Sequence, residues 1–219
     1  MIETTVAGER LLLLSERAIY WPRAAALVVA DVHFGKAASF RTLGVPVPRG
    51  TTATDIQRLS RLIAQHSPER LLILGDLLHA STGRAERTMA AIAAWRAEHS
   101  QLQIMLVRGN HDHRAGDPPE DWQIACSSEP VVEGPFVFRH EPEADDRGYV
   151  LCGHVHPSVT LSDRAGGHLR TRCFYFGQQI GILPAFGRFT GTHTITPQVG
   201  DRIFAVGPDE IIELKGKEQ

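Results

Sequence analysis

The chain has 219 residues, 42% hydrophobic and 22% charged, an ordinary globular composition with room for one large α/β domain or two small ones. A formal net charge of -2 supplies no global basic field, so any contact with nucleic acid has to be local. The 3 cysteines, Cys126, Cys152 and Cys173, show no C-x-x-C spacing, which excludes a disulfide framework and a thiolate zinc site and fits a reducing cytoplasm.

Met1 to Thr5 carries no basic region ahead of an apolar core, so no signal peptide is expected. No apolar run approaches membrane-spanning length, and the expected location is cytoplasmic. Glu9 to Tyr20 reads as a hairpin, with Leu11 to Leu14 as one strand and the turn near Ser15 and Glu16. Ala26 to Ala30 is a buried strand that runs into Asp31, Val32 and His33. Gly44 to Pro48 is an irregular loop, and Thr51 or Thr52 is placed to cap a helix with Ile56, Leu59, Leu62 and Ile63 on one face. Pro68 ends that helix.

Leu71 to Leu74 is a second buried strand. Gly75 lets the chain turn sharply at its end, and Asp76 stands at the tip, where open α/β sheets place their ligands. Taken alone, Asp76 is more readily a helix cap, and only the rest of the chain reverses that preference. Arg84 to His99 is a helix with Met89, Ile92 and Trp95 as its stripe, and Gln103 to Val107 is a third strand, leading into Arg108, Gly109, Asn110, His111 and Asp112. Strand and helix alternate to this point, which implies parallel strands with right-handed crossovers and three polar tips at one sheet edge. Beyond Asp112 the pattern becomes short strands and turns, over Phe136–Arg139, Tyr149–Cys152, Val159–Leu161, Leu169–Phe176, Arg202–Val206 and Ile211–Leu214. This half reads as antiparallel, and it needs a face to bury against. The expected fold is a four-layer α/β/β/α sandwich of two mixed sheets with helices outside, as a single domain over residues 1–219.

The 11 histidines are not scattered. Five clusters fall at strand ends: Asp31 with His33, Gly75 with Asp76, Gly109 to Asp112, His140, and Gly153 with His154 and His156. Aspartate, histidine and an asparagine carbonyl make a mixed oxygen and nitrogen donor set, suited to Mn²⁺, Fe or Zn²⁺ rather than Ca²⁺. So many donors suit two ions that share a carboxylate. Metals about 3.5–4 Å apart bind both the attacking and the leaving oxygen of a phosphoryl transfer. Singly the clusters are weak: Asp-x-His occurs widely, and a lone histidine such as His140 is more often a hydrogen-bonded surface group. Their joint order is what points to a metal centre.

From Leu27 to Pro157 this pattern resembles the calcineurin-like metallophosphoesterase superfamily. The resemblance implies that Asp31 and His33 bind a first metal and that Asp76 bridges both. It implies that Asn110 and His140 bind the second metal, with His154 on the second and His156 on the first. It implies two divalent ions, Mn²⁺ foremost, a hydroxide held by them as nucleophile, and His111 as the acid that protonates the leaving oxygen. Protein phosphatases of the superfamily follow Gly-Asp with Asp-Arg-Gly. This chain has Ala80 and Ser81 after His79 instead, and Gly75 to His79 is similar to the Gly-Asp-Leu-Phe-His of Mre-type and SbcD nucleases, which makes His79 a second catalytic candidate.

Asp31 to Arg41, Gly44 to Pro48 and Leu183 to Thr190 resemble a compact bacterial set, the ligase-associated DNA-damage-response endonucleases (PdeM type). That likeness implies a two-metal phosphodiesterase acting as a DNA endonuclease in repair. It also implies DNA or another phosphodiester as substrate and a functional association with a DNA ligase and a repair helicase or nuclease. It implies no membrane partner, and a homo-oligomer is left open. A small-molecule or cyclic-nucleotide phosphodiesterase and a non-catalytic binding scaffold of the same fold remain as alternatives. Lys36 and Arg41 either contact substrate phosphates or are solvated loop charges. Arg108 either helps to bind phosphate or pairs with a carboxylate. Asp112 reads as a group that orients a ligand or loop. Arg84, Arg114 and Arg188 read as surface residues, His113 as an added imidazole, and His66, His99, His168 and His193 have no assigned role.

Overall fold

Two β-sheets face one another across a shared core, and the computed structural model describes this arrangement over residues 1–162 and 166–214. The elements run β1 (Ile2–Val6), β2 (Glu9–Leu14), β3 (Ala18–Trp21), β4 (Ala26–Ala30), α1 (Lys36–Thr42), α2 (Thr51–His66), β5 (Arg70–Leu74), α3 (Glu86–Glu98), β6 (Gln103–Val107) and α4 (Asn110–Ala115). The second half continues with β7 (Ile124–Ser127), β8 (Val131–Glu133), β9 (Phe136–Phe138), β10 (Tyr149–Cys152), β11 (Pro157–Ser162), β12 (His168–Phe176), β13 (Ile180–Ile182), β14 (His193–Thr194), β15 (Arg202–Val206) and β16 (Ile211–Leu214).

The first sheet has the order β1-β2-β3-β4-β5-β6-β7. Its first four strands are antiparallel neighbours, and β4, β5, β6 and β7 are parallel. Every residue of β4 is buried, as are Leu71 to Leu74 of β5, which is why these strands read as unbroken apolar runs. One face of this sheet carries α2 and α3 through Leu59, Leu62, Ile92 and Trp95. The other face meets the second sheet. There Leu72, Leu74, Ala30 and Trp21 lie in one cluster with Phe136, Phe138, Phe174 and Phe204. Burying each such large apolar side chain stabilises the fold by roughly 1.5–3 kcal/mol before the entropic cost of ordering is counted. The helices therefore lie outside the first sheet. The outer clusters of the second sheet, around Val150 and Cys173, contain no helical residue among those described.

Two local expectations are corrected. The second half is not wholly antiparallel: β10 runs parallel to both β9 and β13, and β11 parallel to β14. All of β9 and most of β10 are buried, and short strands buried on both faces carry no alternation from which their direction could be read. The cap of α2 is Gly50, at φ 88, with no side-chain cap bond. Thr52 instead turns its Oγ1 outward to accept from the Gly35 N–H at 3.3 Å.

No helix of the described residues is long and apolar enough to cross a membrane.

Candidate metal centre

The parallel direction of β4, β5 and β6 brings Asp31, Asp76 and Asn110 to one edge of the first sheet. The parallel pairing of β9 with β10 does the same for His140 and His154. The two edges face each other. Asp31 is 0% exposed, Asp76 2%, His33 5% and His140 4%, so two carboxylates and two imidazoles share a largely dry site. Burying carboxylates side by side is unfavourable unless positive charge lies between them.

Asp31, His33, Asp76, His154 and His156 all have positive φ, between 51 and 68. Non-glycine residues pay a steric cost in this region, and such residues gather at functional sites. The turns that hold them need glycine neighbours. Gly75 has φ 78, and a Cβ there would run into the His140 ring. A Cβ on Gly109 would strike the Asp76 carboxylate, and one on Gly153 the Asp31 carboxylate.

Hydrogen bonds on the far side of each ring fix which nitrogen faces inward. His140 Nδ1–H donates to the Leu74 carbonyl at 3.0 Å, His156 Nδ1–H to the Gly191 carbonyl at 3.2 Å, and His111 Nδ1–H to the His79 carbonyl at 2.7 Å. A carbonyl only accepts, so in each neutral ring the Nε2 lone pair is the one presented to the site. His140 Nε2 then faces Asn110 Oδ1 at 3.2 Å and Asp76 Oδ1 at 3.6 Å, both acceptors, with His154 Nδ1 at 3.0 Å. His156 Nε2 faces Asp31 Oδ1 at 3.4 Å and His33 Nε2 at 3.4 Å. His33 Nε2 lies 3.6 Å from Asp76 Oδ2. Lone pairs facing lone pairs at these distances repel, and a cation among them turns the repulsion into coordination. The donor set therefore fits two ions. Asp31, His33 and His156 gather on one side, Asn110, His140 and His154 on the other, and Asp76 turns Oδ2 toward His33 and Oδ1 toward His140.

Burial holds the Asp76 carboxyl above its usual range, with His140 opposing the shift and Asp31 adding to it. A bound dication inverts that balance. Burial likewise holds the His33 ring well below the ordinary histidine range, aided by Lys36. His79 is lowered to about 4 by burial, Lys36 and His111, so it is neutral at pH 7. Its ring stacks on His111 with centroids 4.5 Å apart, and its Nδ1 lies 3.3 Å from His33 Nδ1. His111 Nε2 stands 4.0 Å from Asp76 Oδ2, beside the cluster rather than within it.

Asp112 faces away from the donors. Its Oδ2 accepts from the Asp76 N–H at 2.7 Å and the Gly109 N–H at 2.9 Å, and its Oδ1 from the Leu78 N–H at 3.2 Å. One carboxylate thus ties the tip of β5 to the tip of β6. Lys36 is partly buried, and burial lowers its amine while Asp76 and Asp31 draw it upward. Arg108 adopts the carboxylate-pairing alternative: its Nε and Nη2 donate to Asp117 at 2.7 Å each. Arg41 lies at the far end of α1, donates to the Pro48 carbonyl at 3.1 Å, and is not part of the cluster. Arg84 is held by the carbonyls of Ala115, Gly116 and Asp117. His113 lines a shallow cleft with Asn110, Arg139 and His140.

Several supporting groups had no signal in the sequence. The Leu74 and Gly191 carbonyls orient ligand rings, and a main-chain carbonyl leaves no mark on composition or spacing. The backbone N–H groups of Phe186 and Gly187 donate to the carbonyls of Ala30 and Asp31 at 2.8 and 3.0 Å, so the loop after β13 grips the Asp31 turn. Two buried arginines hold that loop. Arg17 Nη1 donates to the Ala185 and Gly187 carbonyls, and Arg58 lies over the Phe186 ring at 4.0 Å and donates to its carbonyl.

Residues 25–172 match the family described as calcineurin-like phosphoesterase. Among solved structures the chain is similar to the nuclease MPE of Pseudomonas putida, at 44% sequence identity and a TM-score of 0.86, over 97% of this chain and 99% of that one. It is also similar to YfcE, a phosphoesterase from E. coli, at 16% identity and a TM-score of 0.39, over 86% of this chain and 97% of that one. AQ665 from Aquifex aeolicus, a protein of unknown function, matches at 17% identity and a TM-score of 0.41, over 64% of this chain and 81% of that one. A comparison with curated proteins finds no significant match.

Proposed function

The chain belongs to the calcineurin-like phosphoesterase family, a family of metal-dependent phosphoesterases, and from that premise we propose that it is a two-metal phosphodiesterase cleaving DNA as an endonuclease in repair. The observation that carries the reading is the division of Asp76. Its Oδ1 lies 3.6 Å from His140 Nε2 and its Oδ2 3.6 Å from His33 Nε2, the placement of a carboxylate shared by two ions. The nuclease name of the Pseudomonas putida protein, 44% identical over nearly the whole chain, supports nucleic acid as the diester.

In this reading Asp31, His33 and His156 would hold one ion, Asn110, His140 and His154 the other, and Asp76 would serve both. Two divalent ions held there, with Mn²⁺ foremost, would supply an activated water and would offset charge on the phosphate oxygens. His111 works beside them. Its Nδ1–H is committed to the His79 carbonyl, so a proton carried on Nε2 points toward the leaving oxygen. His79 stays neutral and stacks on His111, which keeps both rings beside the scissile group and limits water there. Lys36, fixed at the start of α1 by its backbone bond to the His33 carbonyl, is the nearest lysine in sequence to the donors and would steady one phosphate oxygen of a singly charged diester. The chain has no Asp-Arg-Gly after Gly75 and Asp76 to grip the extra charge of a monoester.

The test is a substrate panel on Mn²⁺-loaded protein: a phosphate monoester, an aryl diester, a cyclic nucleotide, and single- and double-stranded DNA. Diester cleavage should far exceed monoester cleavage, DNA should be cut at low salt, and His79→Ala should reduce the diester reactions selectively. Hydrolysis of aryl diesters or cyclic nucleotides with every DNA form left intact would replace the endonuclease reading with a small-molecule diesterase.

A further inference from the structure

Beyond the metal centre, the most distinctive charged feature is a groove of ≈ 380 Å³ lined by Arg41 of α1, Arg49 of the loop before α2, and Arg87 of α3, with Thr51, Thr52 and Thr88 between them. No carboxylate lines it. Among the described residues none of these three arginines forms an ion pair, whereas Arg10, Arg23, Arg70, Arg139, Arg147 and Arg202 each hold a carboxylate. Arg41 spends one donor on the Pro48 carbonyl. A guanidinium has five, so most of its fork is free. On a chain of formal charge -2, three unneutralised guanidiniums converging on one concavity are a local exception to the overall balance.

The groove is coupled rigidly to the metal centre. Lys36, whose backbone N–H donates to the His33 carbonyl at 3.1 Å, begins α1, and Arg41 lies near its end. Five residues of helix rise about 7.5 Å, so Arg41 is set well apart from Lys36 along α1. The Gly35 N–H, just before Lys36, donates to Thr52 Oγ1 on the groove wall at 3.3 Å. Gly35 also packs against the backbone of Gly83, so closely that a Cβ on either would clash. Gly83 closes the turn that leads through Arg84 and Ala85 into α3. The three arginines thus sit on separate elements held in one orientation relative to Lys36.

We propose that this groove is a remote phosphate subsite, gripping the backbone of a nucleic-acid strand whose scissile diester lies at the metal centre. The proposal rests on the nuclease reading and deepens it, since it makes the preferred substrate a polymer. A dinucleotide or an aryl diester carries only the scissile phosphate and has none to place in the groove. A longer strand reaches it, and its phosphates meet donors that read charge and not base identity.

The experiment uses full-length protein with Mn²⁺, comparing wild type with Arg49→Ala/Arg87→Ala and with the charge-keeping Arg49→Lys/Arg87→Lys. Both positions are exposed and outside the metal centre. kcat/KM is measured for an aryl diester and for DNA oligonucleotides of increasing length, across a salt series. The alanine pair should lose on the order of tenfold on long strands, and its salt slope should shrink by about 2, one per phosphate contact. It should stay within about twofold of wild type on the aryl diester, since neither arginine reaches the metals, and the lysine pair should recover most of the loss. Wild type cutting DNA while the alanine pair keeps the same rate and slope overturns the groove and leaves the nuclease reading standing. Equal losses on aryl diester and DNA overturn it too, because they report structural damage. Wild type that hydrolyses aryl diesters but no DNA overturns both.

Discussion

The metal centre and the arginine groove lie on neighbouring elements and are built by opposite means. At the candidate metal centre four of the donors, Asp31, His33, Asp76 and His140, are buried, five of the set hold a left-handed backbone, and glycines at 75, 109 and 153 leave no room for a methyl group. The groove is open, and its cations have no strained turn behind them and no carboxylate beside them. A site that must place lone pairs to a few tenths of an ångström needs a backbone that cannot relax. A surface that only neutralises phosphates needs charge in about the right place. The two should therefore respond very differently to substitution.

The largest effect should come from removing the shared carboxylate. Asp76→Ala should abolish turnover on every substrate and lower metal occupancy on both sides, well beyond the roughly 10–100-fold that replacing a group behind the ligands costs. Metal analysis of loaded protein checks it, and a single ion in fully active wild type would falsify the two-ion arrangement. The same comparison predicts that chelation lowers Tm, because ions that bind only the folded chain stabilise it, whereas salt up to moderate concentration should act on DNA cleavage and hardly on Tm.

Next comes His111→Ala. Its ring stands beside the donors, so metal content should be kept while cleavage of DNA, with its poor leaving group, falls by about 10²–10⁴-fold. A nitrophenolate ester, whose leaving group needs no proton, should be much less affected. Equal losses on both substrates would remove His111 from the acid's role.

Asp112→Ala tests the bracing of the strand tips. It strands three backbone N–H groups, those of Asp76, Leu78 and Gly109, at about 1–3 kcal/mol for each that finds no water. Reduced stability in urea, together with weaker metal binding, is the expected pairing. Lost stability with unaltered metal affinity would mean that the tips hold their geometry without it. Gly75→Ala should be smaller in stability, about 1–2 kcal/mol for the left-handed backbone, yet it should weaken the His140 side of the centre because the added methyl meets that ring. The smallest effects belong to the groove, where single arginine replacements should leave the unfolding free energy within about 0.5 kcal/mol of wild type and appear only in DNA kinetics.

The sequence by itself determined much of this. Apolar runs ending in Asp31, Asp76 and Asn110 located β4, β5 and β6 to the residue or nearly so, since strands buried on both faces have no other reason to be uniformly aliphatic. The helices over Thr51–His66 and Glu86–Glu98 followed from their apolar stripes. What only the tertiary structure decided is direction and proximity. The reading of the second half as antiparallel would have sent the tips of β9 and β10 to opposite ends. Their parallel pairing brings His140 and His154 within 3.0 Å, nitrogen to nitrogen. Strands of three and four residues with every side chain near the core carry no periodicity that distinguishes the two directions. The carbonyls of Leu74 and Gly191 and the Arg17 and Arg58 clamp on the Phe186 loop were equally hidden, whereas Asp112 read as an orienting group and only its partners, the Asp76, Leu78 and Gly109 N–H groups, waited for the fold. Each is a contact between residues far apart in the chain, and local sequence specifies which groups exist but not which of them the fold will bring together.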